Sequence, residues 1–122
     1  MKNKKVWYSQ IFKLFFWLAL CLVAVLSMLA VPGQQIFQGQ DKLSHLLVYM
    51  ILFALLLLAY GKRWSLISLG ILLACFSGLI EVAQSFTGSR QAEWLDLLAN
   101  ILGILLAALF YKALQSYKNT ST

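Results

Sequence analysis

The sequence predicts an all-α protein, a bundle of four transmembrane helices with both termini cytoplasmic. Three observations predict it: 61% of the residues are hydrophobic and only 11% charged, the charges are confined to short islands between long apolar runs, and Lys and Arg favour alternate islands. A water-soluble chain of 122 residues would hide its apolar residues in one core beneath a charged surface. With a mean hydropathy of +0.80, this chain has more apolar surface than it can cover, and a bilayer must supply the rest. The whole of 1–122 reads as one domain, with no internal repeat, low-complexity tract or linker.

A helix rising about 1.5 Å per residue needs roughly 20 apolar residues to cross a hydrocarbon core of about 30 Å. Four segments meet that requirement. The first, 14–31, stops at Pro32-Gly33, and the second, 43–60, stops at Gly61-Lys62-Arg63. The third is 64–86 and the fourth 94–111. Each must be helical, because an unpaired backbone amide in lipid costs several kcal/mol. Lys2, Lys4, Lys5 and Lys13 ahead of the first span could suggest a secretory signal. An uncleaved anchor is the better reading, since the span is long for a signal core and lacks a clean small-x-small cleavage site before Pro32.

Direction follows from the basic residues. Lys2, Lys4, Lys5, Lys13, Lys62, Arg63, Lys112 and Lys118 share one side, and only Lys42 and Arg90 fall on the other. The positive-inside bias therefore puts both ends in the cytoplasm of a multi-pass protein of the cytoplasmic membrane. All four acids, Asp41, Glu81, Glu93 and Asp96, then lie at or near the outer side. Trp7, Tyr8, Tyr60, Trp64, Trp94, Tyr111 and Tyr117 sit near span ends, as interfacial anchors do. The tail 116–122 is polar and reads as frayed.

The formal charge of +6 does not point to nucleic acid, because the basic residues flank apolar spans and form no stripe with exposed aromatics. Cys21 and Cys75 lie within apolar runs, without the spacing of a disulfide framework or a metal site, and read as inert packing residues. No compact ligand motif such as H-E-x-x-H is present, so no metal and no cofactor is predicted.

Small residues recur at every fourth position on two spans: Gly70, Ala74 and Gly78, then Ala99, Gly103 and Ala107. Helices in lipid associate through such close-approach ridges, which predicts a tight hairpin of the third and fourth spans. Glu81 lies next to Gly78, and Asp96 and Asn100 lie next to Ala99 and Gly103, so these polar groups face the seam. Asp41, His45 and Tyr49 make a stripe on the outer turns of the second span, and Gln84 stands one turn above Glu81. With Arg90 in the third loop, Asp41, His45, Tyr49, Glu81, Gln84, Arg90, Asp96 and Asn100 form a predicted ligand-binding pocket at the outer rim.

These residues also carry a resemblance. Asp41-Lys42-Leu43-Ser44-His45 with Tyr49, then Glu81-Val82-Ala83-Gln84, Arg90, and Asp96, Asn100 and Gly103 occur in order. They resemble the D-K-x-x-H-x-x-x-Y, E-x-x-Q, R and D-x-x-x-N-x-x-G blocks of the VanZ-like family. The chain departs from that pattern at Leu46, where an aromatic is usual, at Glu93, where a small hydroxyl residue is expected, and at Thr87-Gly88-Ser89, which lacks a proline. The resemblance implies a four-helix membrane domain and an association with resistance to glycopeptide antibiotics.

Each group has a plain structural reading beside its functional one. Asp41 can cap the second span, Asp96 can serve the first turn of the fourth, and Tyr49 can be an interfacial or core aromatic. Glu81 is the sharpest signal, because a carboxylate within a span costs a few kcal/mol unless paired or wetted. It reads equally as half of a buried ion pair with Arg90 or His45 and as part of a site. The leading function is a small envelope protein whose pocket binds or screens a lipid head group, a cell-wall precursor or a glycopeptide-type antibiotic. The alternative is an intramembrane hydrolase or transferase acting on a lipid-linked or phosphate-bearing substrate. His45, Glu81 and Asp96 are then the catalytic candidates, His45 as general base or metal ligand and the two carboxylates as acid/base groups or ligands, with Arg90 a phosphate clamp. A proton-coupled carrier ranks last, since four helices without an inverted repeat rarely enclose a path.

Overall fold

In the computed structural model, which describes residues 2–29, 36–87 and 93–121, the chain is all-helical. The elements are α1 (Lys2–Met28), α2 (Gln40–Tyr60), α3 (Leu66–Ser85) and α4 (Trp94–Thr120). All four are long and apolar enough to cross a membrane, as the sequence predicts, and no strand occurs among the described residues.

Local chemistry starts and stops the helices. Gly39 precedes α2 with φ 85°, a left-handed conformation that costs glycine nothing and other residues about 1 kcal/mol or more. The chain can thereby turn into α2 without a capping side chain. Asp41 is not the N-cap residue, which is Gly39, but its carboxylate lies in the first turn of α2, where an acid is favoured, and also meets Lys42 there. Ser65 caps α3 by accepting from the Ser68 amide at 3.1 Å.

Successive helices run antiparallel. Ser9 near the start of α1 donates to the Ala59 carbonyl near the end of α2. Gln84 at the end of α3 donates to the Ser27 carbonyl at the end of α1, and His45 and Asn100 meet near the starts of α2 and α4. The bundle therefore has a Gly39 end and a Gly61 end. The helix α2 is central and touches the other three, while α1 and α4 do not touch among the described residues.

The most extensive contact joins α2 to α4, not α3 to α4. The small-residue ridge on α4 is used, but on a different partner. A Cβ at position 103 would press into the Leu46 carbonyl oxygen and stand 3.0 Å from the Met50 nitrogen, so the two backbones meet there. Around Gly78 of the expected α3 ridge there is open space. Spacing shows that a helix carries a close-approach face, but it does not say which neighbour takes it. The core comprises Phe16, Leu52, Phe53, Leu56, Leu57, Leu69, Leu73 and Ile104.

At 21 and 20 residues, α2 and α3 are about 30 Å long and match a hydrocarbon core. The 27-residue α1 and α4 overshoot it. Ser9 is already level with Ala59, and Tyr111 reaches Gly61, so the excess of both projects from the Gly61 end. The tail read as frayed is helical to Thr120. The two cysteines, read as packing residues, are both exposed, Cys75 on the wall of a groove between helices.

Candidate functional site

Helix starts and ends decide where the polar residues collect. The first turns of α2 and α4 and the last turns of α3 converge at the Gly39 end, and their inward faces carry His45, Asp96, Asn100, Ser77 and Glu81. Glu81 and Asp96 are each 6% exposed, Asn100 is 1% and Ser77 is fully buried. Polar groups this dry are tolerated only when they satisfy one another or a ligand.

A chain of contacts links them. His45 Nδ1 lies 3.0 Å from Asn100 Oδ1, and Asn100 Nδ2 donates to Ser77 Oγ at 2.8 Å. Tyr49, also buried, faces the same layer, with Ser77 and Glu81 both close enough to act on its hydroxyl. On its other side the ring presents Nε2 to Asp96 Oδ2 at 3.7 Å. One oxygen of Asp96, Oδ1, is buried and accepts no hydrogen bond from a described residue.

Toward the surface, Lys42 joins three carboxylates: Glu93 at 2.9 Å, Asp41 at 3.1 Å and Asp96 Oδ1 at 3.6 Å. The two nearer contacts are half-exposed and worth little each. Together they draw the starts of α2 and α4 toward one cation and leave the Gly39 end rich in carboxylate.

Six of the eight predicted pocket residues come together in this layer: Asp41, His45, Tyr49, Glu81, Asp96 and Asn100. Gln84 is buried, but its amide is committed to the Ser27 carbonyl and ties α3 to α1. Arg90 lies outside the described residues. Sequence reasoning missed Ser77, which sits one turn before Glu81 on the same face and could have been found by that i, i+4 spacing. It also used Lys42 for orientation and in the resemblance, and Glu93 as an outer-side acid and a departure, without joining the two, which pair between the starts of α2 and α4.

Elsewhere, α1, α2 and α3 border an apolar groove of about 720 Å³ lined by Phe16, Leu56, Leu69, Leu73 and Phe76 among others. Its lining is almost wholly hydrocarbon.

A family model described as VanZ/LLP1 matches residues 4–115, nearly the whole chain. No curated protein and no solved structure matches it.

Proposed function

Because this chain belongs to the VanZ/LLP1 family, we propose that its buried polar cluster binds the polar head of an envelope component, at the outer face of the cytoplasmic membrane. The observation that supports this most is the burial of Glu81, Asp96, Asn100 and Ser77 together at one end of an otherwise apolar multi-pass protein. A bundle fixed by packing alone has no need of them, since an apolar replacement of matching shape is often neutral or stabilising. A head group, a cell-wall precursor or a glycopeptide-type antibiotic supplies hydroxyl, amide or charged groups that such a cluster can pair with.

Wild-type protein extracted with its surrounding lipid into nanodiscs is expected to carry a polar-headed adduct in native mass spectra. The isosteric Asp96→Asn variant should lose that adduct by tenfold or more while accumulating to the same level. Identical adduct profiles in the two proteins would overturn the reading.

Orientation is part of the same reading, with the Gly39 end outside and both termini in the cytoplasm. Its support is the distribution of Lys and Arg. Alkaline phosphatase fused after Gln38 should be active and the same fusion after Arg63 inactive; the reverse pattern removes an outward-facing site.

A second reading, an intramembrane hydrolase or transferase, draws on one specific observation, the approach of His45 Nε2 to Asp96 beside Glu81. A histidine between carboxylates can move a proton. Phosphate release from a lipid-linked pyrophosphate by purified protein, lost in His45→Ala, is the outcome that would favour it over binding alone.

A further inference from the structure

The geometry points to a divalent transition-metal site, best matched to zinc, formed by His45, Glu81 and Asp96 at the Gly39 end. It rests on the reading of this cluster as a binding site and names the group that would do the binding.

Three helices each supply one ligand type that zinc takes. An imidazole nitrogen of His45 and one carboxylate oxygen each of Glu81 and Asp96 all lie within 4.8 Å of one another, and the His45–Asp96 edge is 3.7 Å. Ligand atoms about 2.1 Å from a tetrahedral ion stand roughly 3.4 Å apart, so the His45–Asp96 edge needs little change and the other two edges close by at most about 1.4 Å. Two observations independent of that clustering support an ion. First, Asp96 Oδ1 is buried, in a side chain nine-tenths shielded from solvent, and accepts no hydrogen bond from any described residue. Lys42 Nζ forms an ion pair with it at 3.6 Å, too long for a hydrogen bond, and the oxygen on the His45 edge is the other one, Oδ2. Buried oxygens are nearly always satisfied, and a cation is one means of doing so.

Second, the ring of His45 is held as a metal-ligating histidine is held. Asn100 donates through Nδ2 to Ser77, which turns its Oδ1 toward His45 Nδ1. An amide oxygen there accepts the Nδ1 proton and leaves the Nε2 lone pair facing Asp96, with the tautomer fixed by the outer partner. Two carboxylates, one of them also paired with Lys42, offset much of the charge of a divalent ion, and a nitrogen ligand favours zinc over calcium or magnesium. Three protein ligands leave a coordination position open, and an anionic oxygen of a bound head group can take it. Asn100 is a positioning residue in this scheme.

The test uses chelator-stripped full-length protein in detergent and zinc chloride alone, by calorimetry, with cobalt(II) absorption as a second readout. One ion per chain is expected, with visible cobalt bands of a four- or five-coordinate site. His45→Ala and Asp96→Asn should abolish both while helical circular dichroism persists. Asn100→Ala should weaken zinc binding about 10- to 100-fold and shift the cobalt bands, because the ring loses its orientation. Absence of the cobalt bands in the wild type, or undiminished zinc affinity in His45→Ala, overturns the assignment. The wild-type spectrum decides the matter even if a variant fails to fold. Wild-type protein that binds no zinc but carries the head-group adduct rejects the metal site alone, whereas wild-type protein that binds zinc without any adduct rejects the head-group reading alone.

Discussion

Gly103→Ala is expected to destabilise the bundle by about 1–3 kcal/mol, an overpacking cost out of proportion to one methyl group. In most transmembrane helices the exchange would be close to neutral or helpful, since alanine is the better helix former by about 1 kcal/mol. Here the new Cβ meets the Leu46 carbonyl and the Met50 amide nitrogen, both main chain of α2. A side chain could swing away, but a helix backbone cannot, so the rigid helices must part and loosen the contacts along the α2–α4 seam. Gly78→Ala is the matched control, because nothing stands within 4 Å of the Cβ it would add. Equilibrium unfolding in mixed micelles should show a large loss for the first variant and none for the second. Equal behaviour of the two would mean that the α2–α4 approach is not as close as described.

Asn100→Leu is expected to cost more than the loss of its hydrogen bonds. Interhelical hydrogen bonds in membranes are worth only about 0.6 kcal/mol on average. The larger effect is on the groups left behind, His45 Nδ1 and Ser77 Oγ, which lie where water has little access. An unsatisfied buried group costs roughly 1–3 kcal/mol, so a total of several kcal/mol is expected. Residues that share a network are not additive. Ser77→Ala in the Asn100→Leu background should therefore cost less than Ser77→Ala alone. Strict additivity in this cycle would show that Asn100 and Ser77 are not coupled.

The helices were legible in the sequence because lipid leaves few options: long apolar runs bounded by Pro32-Gly33, by Lys62-Arg63 and by charged loops have to span. The layer of polar residues was legible too, since helical spacing puts Asp41, His45 and Tyr49, or Asp96 and Asn100, at similar depth. Which helix faces which was not. Ala99, Gly103 and Ala107 advertise a close-approach face, but connectivity suggested α3 as the neighbour, whereas shape selected α2. The same limit concealed Ser77, a small residue on an apolar helix whose role depends on Asn100 arriving opposite it. Gln84 reads as a member of the layer by depth, and its partner on α1 becomes visible only once α1 is placed. Glu93 looked like a departure from a pattern until Lys42 was found beside it.

The overshoot of α1 and α4 at the Gly61 end has a bearing on the surrounding lipid. About 10 Å of each helix continues past the level at which α2 and α3 stop, carrying Lys4 and Lys5 on one and Lys112 and Lys118 on the other. With α2 and α3 set across the hydrocarbon core, this overshoot carries basic side chains toward the head-group layer, where each attracts anionic lipid by about 1 kcal/mol. The protein should gather an annulus of acidic phospholipid in that leaflet and hold itself upright against it.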